Sequence, residues 1–335
     1  MILTLLACAD PTSAAACFSE RGHLEGPDEL VYDLAWSPRD LLLLVGGLQT
    51  LRLVEVDDSG RQLTVWQQET NSSRFNSVMW SADGDHAVVP TGTEVRLLRV
   101  DRDQRSFQTV ATSEPLPSEL QRGMLSPDGR HLLTCDIEGA IQLHAIAFEP
   151  PSVTLLDSLP VHARCTRVSW SPSGLWASSA GKEGLLPLIA VDTDQGILTL
   201  ASQLQLPEES AEVVWSPLDD ERLVAGTFGE LNELYVLERA DQTLHIVSTN
   251  TDHDSGVGAL AFNQTGTLLL TGDHDHTLRL FGTGDELQLL DTLPWDGRGV
   301  HSARWSYDER FVARTTSQFV DHVDVLEVQD RCVGN

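Results

Sequence analysis

Lysine is almost absent from this chain: Lys182 is the only one, and the rest of its 22 basic residues are arginines. Against them stand 50 acidic residues, for a formal net charge of −28. A polyanion of that size is repelled by phosphate backbones and anionic head groups, which sets nucleic acid aside as a partner. The same charge keeps a folded surface dispersed and favours a monomer. Also missing is any run of about 18 apolar residues, so no segment reads as a membrane-spanning helix. Catalytic signatures are lacking too: there is no Gly-x-Ser-x-Gly, no His-Glu-x-x-His and no glycine-rich phosphate loop. No cofactor is implied.

What is present is a repeat. An apolar pair, a large anchor residue and a Ser-Pro-Asp-Gly-like turn recur, as in Leu34-Ala35-Trp36-Ser37-Pro38, Val78-Met79-Trp80-Ser81-Ala82-Asp83-Gly84 and Val168-Ser169-Trp170-Ser171-Pro172. The anchors fall at residues 36, 80, 125, 170, 215, 262 and 305, with separations of 44, 45, 45, 45, 47 and 43. A period near 45 with short strands and turn signals means propeller blades. Within each repeat the anchor ends a first strand, and the turn follows because Pro presets φ, Asp bonds its own backbone and Gly accepts φ > 0. An apolar second strand comes next (Leu41 to Val45), then an alternating third (Leu51 to Val56) and a fourth after a polar hairpin (Leu63 to Trp66).

The seventh repeat ends at its third strand, near Val323 to Val328. The stretch around Ser13 to Glu20 is the natural supplier of the missing fourth, since closing the ring removes exposed edges. The expected architecture is all-β: a seven-bladed β-propeller over 13–335, with four-stranded blades and an N-terminal strand joining the last blade. A tail over 1–12 precedes it.

The sixth repeat reads His253 … Phe262 … Leu270-Thr271-Gly272-Asp273-His274-Asp275-His276-Thr277-Leu278-Arg279-Leu280-Phe281. It is similar to the WD-repeat pattern, in which a His, a Ser or Thr, an Asp and a Trp form a buried hydrogen-bonded tetrad. The resemblance assigns His253, Thr271 and Asp275 to the first three places, and Phe281 stands where the Trp would. Thr134 matches Thr271 in the third repeat, without a matching His. The family implies a rigid platform whose faces hold protein or peptide partners, usually without catalysis.

Three positions before the anchors lie Asp33, Ser77, Arg122, Arg167, Glu212, Ala259 and Ser302, on strands that line the channel. Arg74, Arg164, Arg298 and His301 fall slightly earlier, near the mouth. In so acidic a chain, these arginines with His301 and Glu212 read either as a site for an anion or carboxylate, or as an internal ring of salt bridges plugging the channel. His274 and His276 share a strand face and suit a transition metal, but two ligands fall short of a set. Asp192-Thr193-Asp194-Gln195-Gly196 opens like a calcium loop, yet Gln203 occupies the place of the bidentate Glu, so a hairpin turn is expected. No metal site is expected. Some propellers are lactonases or other hydrolases working with His, Glu and Arg in the channel. Glu209, Glu212, His162, Arg164 and His301 supply those residue types.

Leu5-Leu6-Ala7-Cys8 resembles the lipobox of bacterial lipoproteins, after a leader that is short and lacks a basic start. Processing there would lipidate Cys8 and place the protein in the cell envelope on the periplasmic side; without it the cytoplasm is expected. Cys17 is expected beside Cys332, where a disulfide would lock the ring, unless strand register brings Cys332 nearer Cys8. Cys135 and Cys165 read as buried thiols. The leading functional expectation is a non-enzymatic binding scaffold for protein or peptide partners, and the alternative is a channel-site hydrolase of the lactonase type.

Overall fold

The computed structural model describes residues 16–25, 30–274, 277–284, 286–294, 299–317 and 322–333. They form seven four-stranded antiparallel sheets. The first blade runs Val31–Trp36, Leu42–Gly47, Thr50–Val56 and Leu63–Thr70, in sequence order from the channel outwards. Five more blades repeat this meander. The last combines Gly299–Trp305, Phe311–Ser317 and His322–Val328 with the N-terminal strand Phe18–Glu25, which pairs antiparallel with His322–Val328. The ring therefore closes as expected, with the closing strand a few residues later than the Ser13 to Glu20 stretch. Cys17 is bonded to Cys332, with Cα atoms 5.8 Å apart. Cys8 lies outside the described residues.

The turn chemistry follows the sequence. In blade two, Ser81 Oγ accepts the amide of His86 at 3.0 Å and donates to Asp83 at 2.5 Å, while Asp83 accepts the amide of Asp85 at 2.7 Å. Gly84 takes φ 70°, a conformation that costs glycine little. In blade seven Glu309 occupies that left-handed place, at φ 56°.

Buried apolar residues gather in seven clusters, and each lies between two consecutive blades. Trp36, Leu43 and Val54 of blade one pack against Phe311, Ala313 and Val325 of blade seven, for example. Blades are thus held by their neighbours rather than by a central core, as in other repeat architectures. The anchor indoles add a polar stitch. Trp80 Nε1 donates to the Ala35 carbonyl at 3.0 Å, Trp170 to Met124 at 2.9 Å, Trp305 to Ala261 at 3.1 Å and Trp36 to Arg304 at 3.2 Å. In each case the acceptor is the residue before the preceding blade's anchor.

Candidate functional site: the channel and its two mouths

The first strands all run the same way through the channel, so the blades present equivalent residues at equal depth. Six of the seven first strands carry a β-bulge near their start, at Tyr32, Gln121, Thr166, Ala211, Gly258 and His301. A bulge places two successive side chains on one face and re-aims them. As a result, those six blades offer two tiers to the channel, and in blade two Asn76 and Ser77 take the equivalent places.

The bulged residues and Asn76 form the outer tier and line a cavity of about 340 Å³ at the entry mouth. In blade six this position is glycine. A Cβ on Gly258 would come within 2.8 Å of the Val300 carbonyl and 3.2 Å of His274 Nε2, so its absence lets the His274 ring approach. His274 packs edge-on against both His301 and Phe228, with ring centroids 5.1 Å apart in each case.

The inner tier is Asp33, Ser77, Arg122, Arg167, Glu212, Ala259 and Ser302. Here Arg167 grips both carboxylate oxygens of Glu212, with Nε at 2.6 Å from Oε2. Asp33 accepts from the Ser302 hydroxyl at 2.8 Å, from the Val78 amide at 3.3 Å and from Arg304 at 3.3 Å. Burial alone would raise the Asp33 pKa, but the guanidinium groups of Arg304, Arg122 and Arg167 outweigh it and hold the carboxyl below its usual range. Burial likewise opposes the charge of Arg167, and Glu212 more than restores it.

Arg122 is different. It donates to the Asn76 carbonyl and has no carboxylate partner among the described residues. Burial first, and then the like charge of Arg167, push its pKa down to about 10. Arg74 and Arg164 line the same cavity and likewise lack an ion pair among the described residues, while Lys182 lies 3.2 Å from Glu209. Burial, followed by His274, Arg122 and Arg167, holds His301 neutral with a pKa of about 3.

The sequence-based candidates therefore divide. Arg74, Arg122, Arg164, His301 and Glu212 meet at one mouth. Arg167 faces deeper and is tied to Glu212 by a single salt bridge. Arg298 and Asp275 lie outside the described residues. Tyr32, Lys182, Phe228 and His274 also line the mouth and were not anticipated; Tyr32 is turned inward by a bulge that has no sequence signal of its own, and the other three stand at or just past the ends of second strands. At the exit mouth a cavity of about 500 Å³ is walled by anchors, including Trp80, Trp215, Phe262 and Trp305. Among the described residues no group of three or more His, Cys, Asp or Glu side chains could hold a metal ion.

Away from the channel, His253 Nε2 lies 2.9 Å from Thr271 Oγ1, and its ring stacks on Phe281. Blade four holds an equivalent that sequence reading missed. His162 bonds Ser179 at 2.7 Å through Nε2 and Glu183 through Nδ1, so it belongs to the blade interior and not to the channel mouth. The shorter His-to-Ser spacing and Glu183 in place of Asp hid it. In blade three His144 takes the place of the missing Trp and lies 2.9 Å from Thr134 Oγ1.

Four-stranded blades, inter-blade cores and a closing strand from the N-terminus define a seven-bladed β-propeller. Residues 244–281 match the family model described as WD domain, G-beta repeat. That span covers the last strand of blade five and the first three of blade six, where the sequence resemblance is strongest. Among solved structures, a chain of one described as the crystal structure of mitotic checkpoint complex is similar over 98% of both chains, with a TM-score of 0.75 at 17% identity. At that identity the likeness is one of fold. No curated protein matches the chain in sequence. Among the described residues no helix is long and apolar enough to cross a membrane.

Proposed function

We propose that the protein is a non-enzymatic binding scaffold that holds a protein or peptide partner at the entry mouth of its channel. The observation that carries this reading is the convergence of Arg74, Arg122 and Arg164, none paired with a carboxylate among the described residues, in a chain with 50 acidic residues. Cations left unpaired amid so many acids are poised for an anionic group supplied from outside. The solved relative is part of a complex, the use to which a rigid propeller face lends itself. The Cys17–Cys332 disulfide supports an oxidising compartment, and with it the envelope-anchored form lipidated at Cys8.

The hydrolase alternative needs a carboxylate free to take a proton. Both oxygens of Glu212 are engaged by Arg167 and Glu209 lies beside Lys182, which weighs against it. Capture from the native host, comparing the wild type with the double variant Arg74→Ala, Arg164→Ala, tests the reading. A stoichiometric partner retained by the first and lost by the second is the expected result. Turnover of small esters or lactones that depends on Glu212 would overturn it in favour of the hydrolase.

A further inference from the structure

We propose that the entry mouth takes an acidic peptide segment, one carboxylate of which enters the channel and pairs with Arg122. This deepens the scaffold reading and rests on it. The inner tier with Arg304 holds three guanidinium groups, those of Arg122, Arg167 and Arg304, against two carboxylates, Asp33 and Glu212. Both carboxylates are committed, Glu212 to Arg167 and Asp33 to Arg304. Among the described residues one cation is left over, and a single monovalent anion completes the set.

Arg122 is placed to receive it. It is half-buried, opens into the entry cavity, and shows one hydrogen bond, to Asn76, out of the five N–H groups a guanidinium carries. One blade away, Glu212 shows how a carboxylate fits a guanidinium fork in this channel, with two parallel bonds to Arg167.

The remaining cations lie above Arg122, towards the mouth. Arg74 and Arg164 come from the start of blades two and four, six residues before their anchors, and also lack carboxylate partners among the described residues. Cations at two depths suit several acids on one chain better than one small ion. The cavity of about 340 Å³ has room for such a segment, and Tyr32, Phe228 and His274 offer it aromatic surface. The net charge of −28 does not cancel this local attraction, because at physiological ionic strength charges are screened over about 8 Å.

The test uses the full chain and three labelled peptides of one length, identical but for Glu, Gln or phosphoserine at the acidic positions, with inorganic phosphate as competitor. Binding is followed by fluorescence anisotropy for the wild type, Arg122→Met and Arg130→Met, a control in the exposed turn at the opposite mouth. The Glu peptide is expected to bind about tenfold more tightly than the Gln peptide, and Arg122→Met to remove about that factor. Arg130→Met should match the wild type. Arg122→Met breaks no ion pair among the described residues, and an unchanged thermal midpoint would verify that it folds. Equal binding of Glu and Gln peptides, or an Arg122→Met variant that binds like the wild type, overturns the proposal. A preference for the phosphoserine peptide, relieved by phosphate, overturns the carboxylate assignment. A captured partner indifferent to Arg122→Met and to excess Glu peptide would overturn this inference and leave the scaffold reading standing.

Discussion

The indole of Trp36 donates its N–H to the carbonyl of Arg304, 3.2 Å away across the junction where the two ends of the propeller meet. The same bond joins Trp80 to Ala35, Trp170 to Met124 and Trp305 to Ala261. Trp215 is the exception, since its buried Nε1 finds no partner among the described residues. Replacing Trp80 or Trp170 by Phe should therefore cost about 1–2 kcal/mol beyond the small change in packing, because a carbonyl loses its donor. Trp215→Phe should cost less than either, since it removes no such bond. Urea midpoints of the three variants check this, and an equal loss at Trp215 would refute the stitch as a source of stability.

The Cys17–Cys332 bond closes the chain across a separation of 315 residues. Constraining so long a loop in the unfolded state contributes about 6 kcal/mol in the chain-entropy account. Cys332→Ser should lower the unfolding midpoint under oxidising conditions and make it insensitive to reductant. Hydrogen exchange should then rise first in Phe18–Glu25, the strand the bond secures. Uniform loss of protection over all blades would contradict a local role at the seam.

Legibility in the sequence followed the physics of each feature. The blade count came from anchors and turns, because every repeat must solve the same packing and hairpin problem. Asp33, Arg122, Arg167 and Glu212 could be placed at one depth because they hold the same offset from their anchors. The upper tier was less visible: His301 and Arg164 could be set near the mouth, but Tyr32, Phe228 and His274 could not. For Tyr32 a bulge changes which face a residue takes without changing its type, and Phe228 and His274 come from the ends of second strands, whose reach over the mouth no offset from the anchor marks. Which arginine lacks a partner was also hidden, since the Arg167–Glu212 and Arg304–Asp33 pairings depend on side-chain reach between blades.

Arg167 and Glu212 illustrate the difference between breaking and replacing a buried pair. Arg167→Ala leaves the Glu212 carboxylate desolvated beside the lone Arg122, and should cost about 3–5 kcal/mol. The double replacement Arg167→Met with Glu212→Leu removes both charges and should be close to neutral in stability. A double-mutant cycle by urea denaturation measures the coupling. Additive losses would mean that the pair is not the closed unit the structure shows.

Three imidazoles whose surroundings disfavour their charge shape the acid side of the stability profile. Burial pushes His144 down to about 4, burial with His274 and the nearby arginines pushes His301 to about 3, and burial outweighs Glu183 in lowering His162. In the unfolded chain each titrates near about 6.5. Above that pH both states hold the rings neutral and stability is level. Below it the unfolded chain takes up protons that the folded one refuses, so each ring removes up to about 1.4 kcal/mol per pH unit until its folded pKa is reached. Asp33, held low in the fold, contributes its own loss only near and below about pH 4. The interval from about pH 6.5 to about 4.5 therefore reports chiefly on histidines. His144→Gln keeps a polar group near Thr134, 2.9 Å from the native ring, and should flatten the slope there by one histidine's share. Urea midpoints across that interval for wild type and variant measure it; an unchanged slope would show that His144 takes up its proton in the folded state as readily as in the unfolded one.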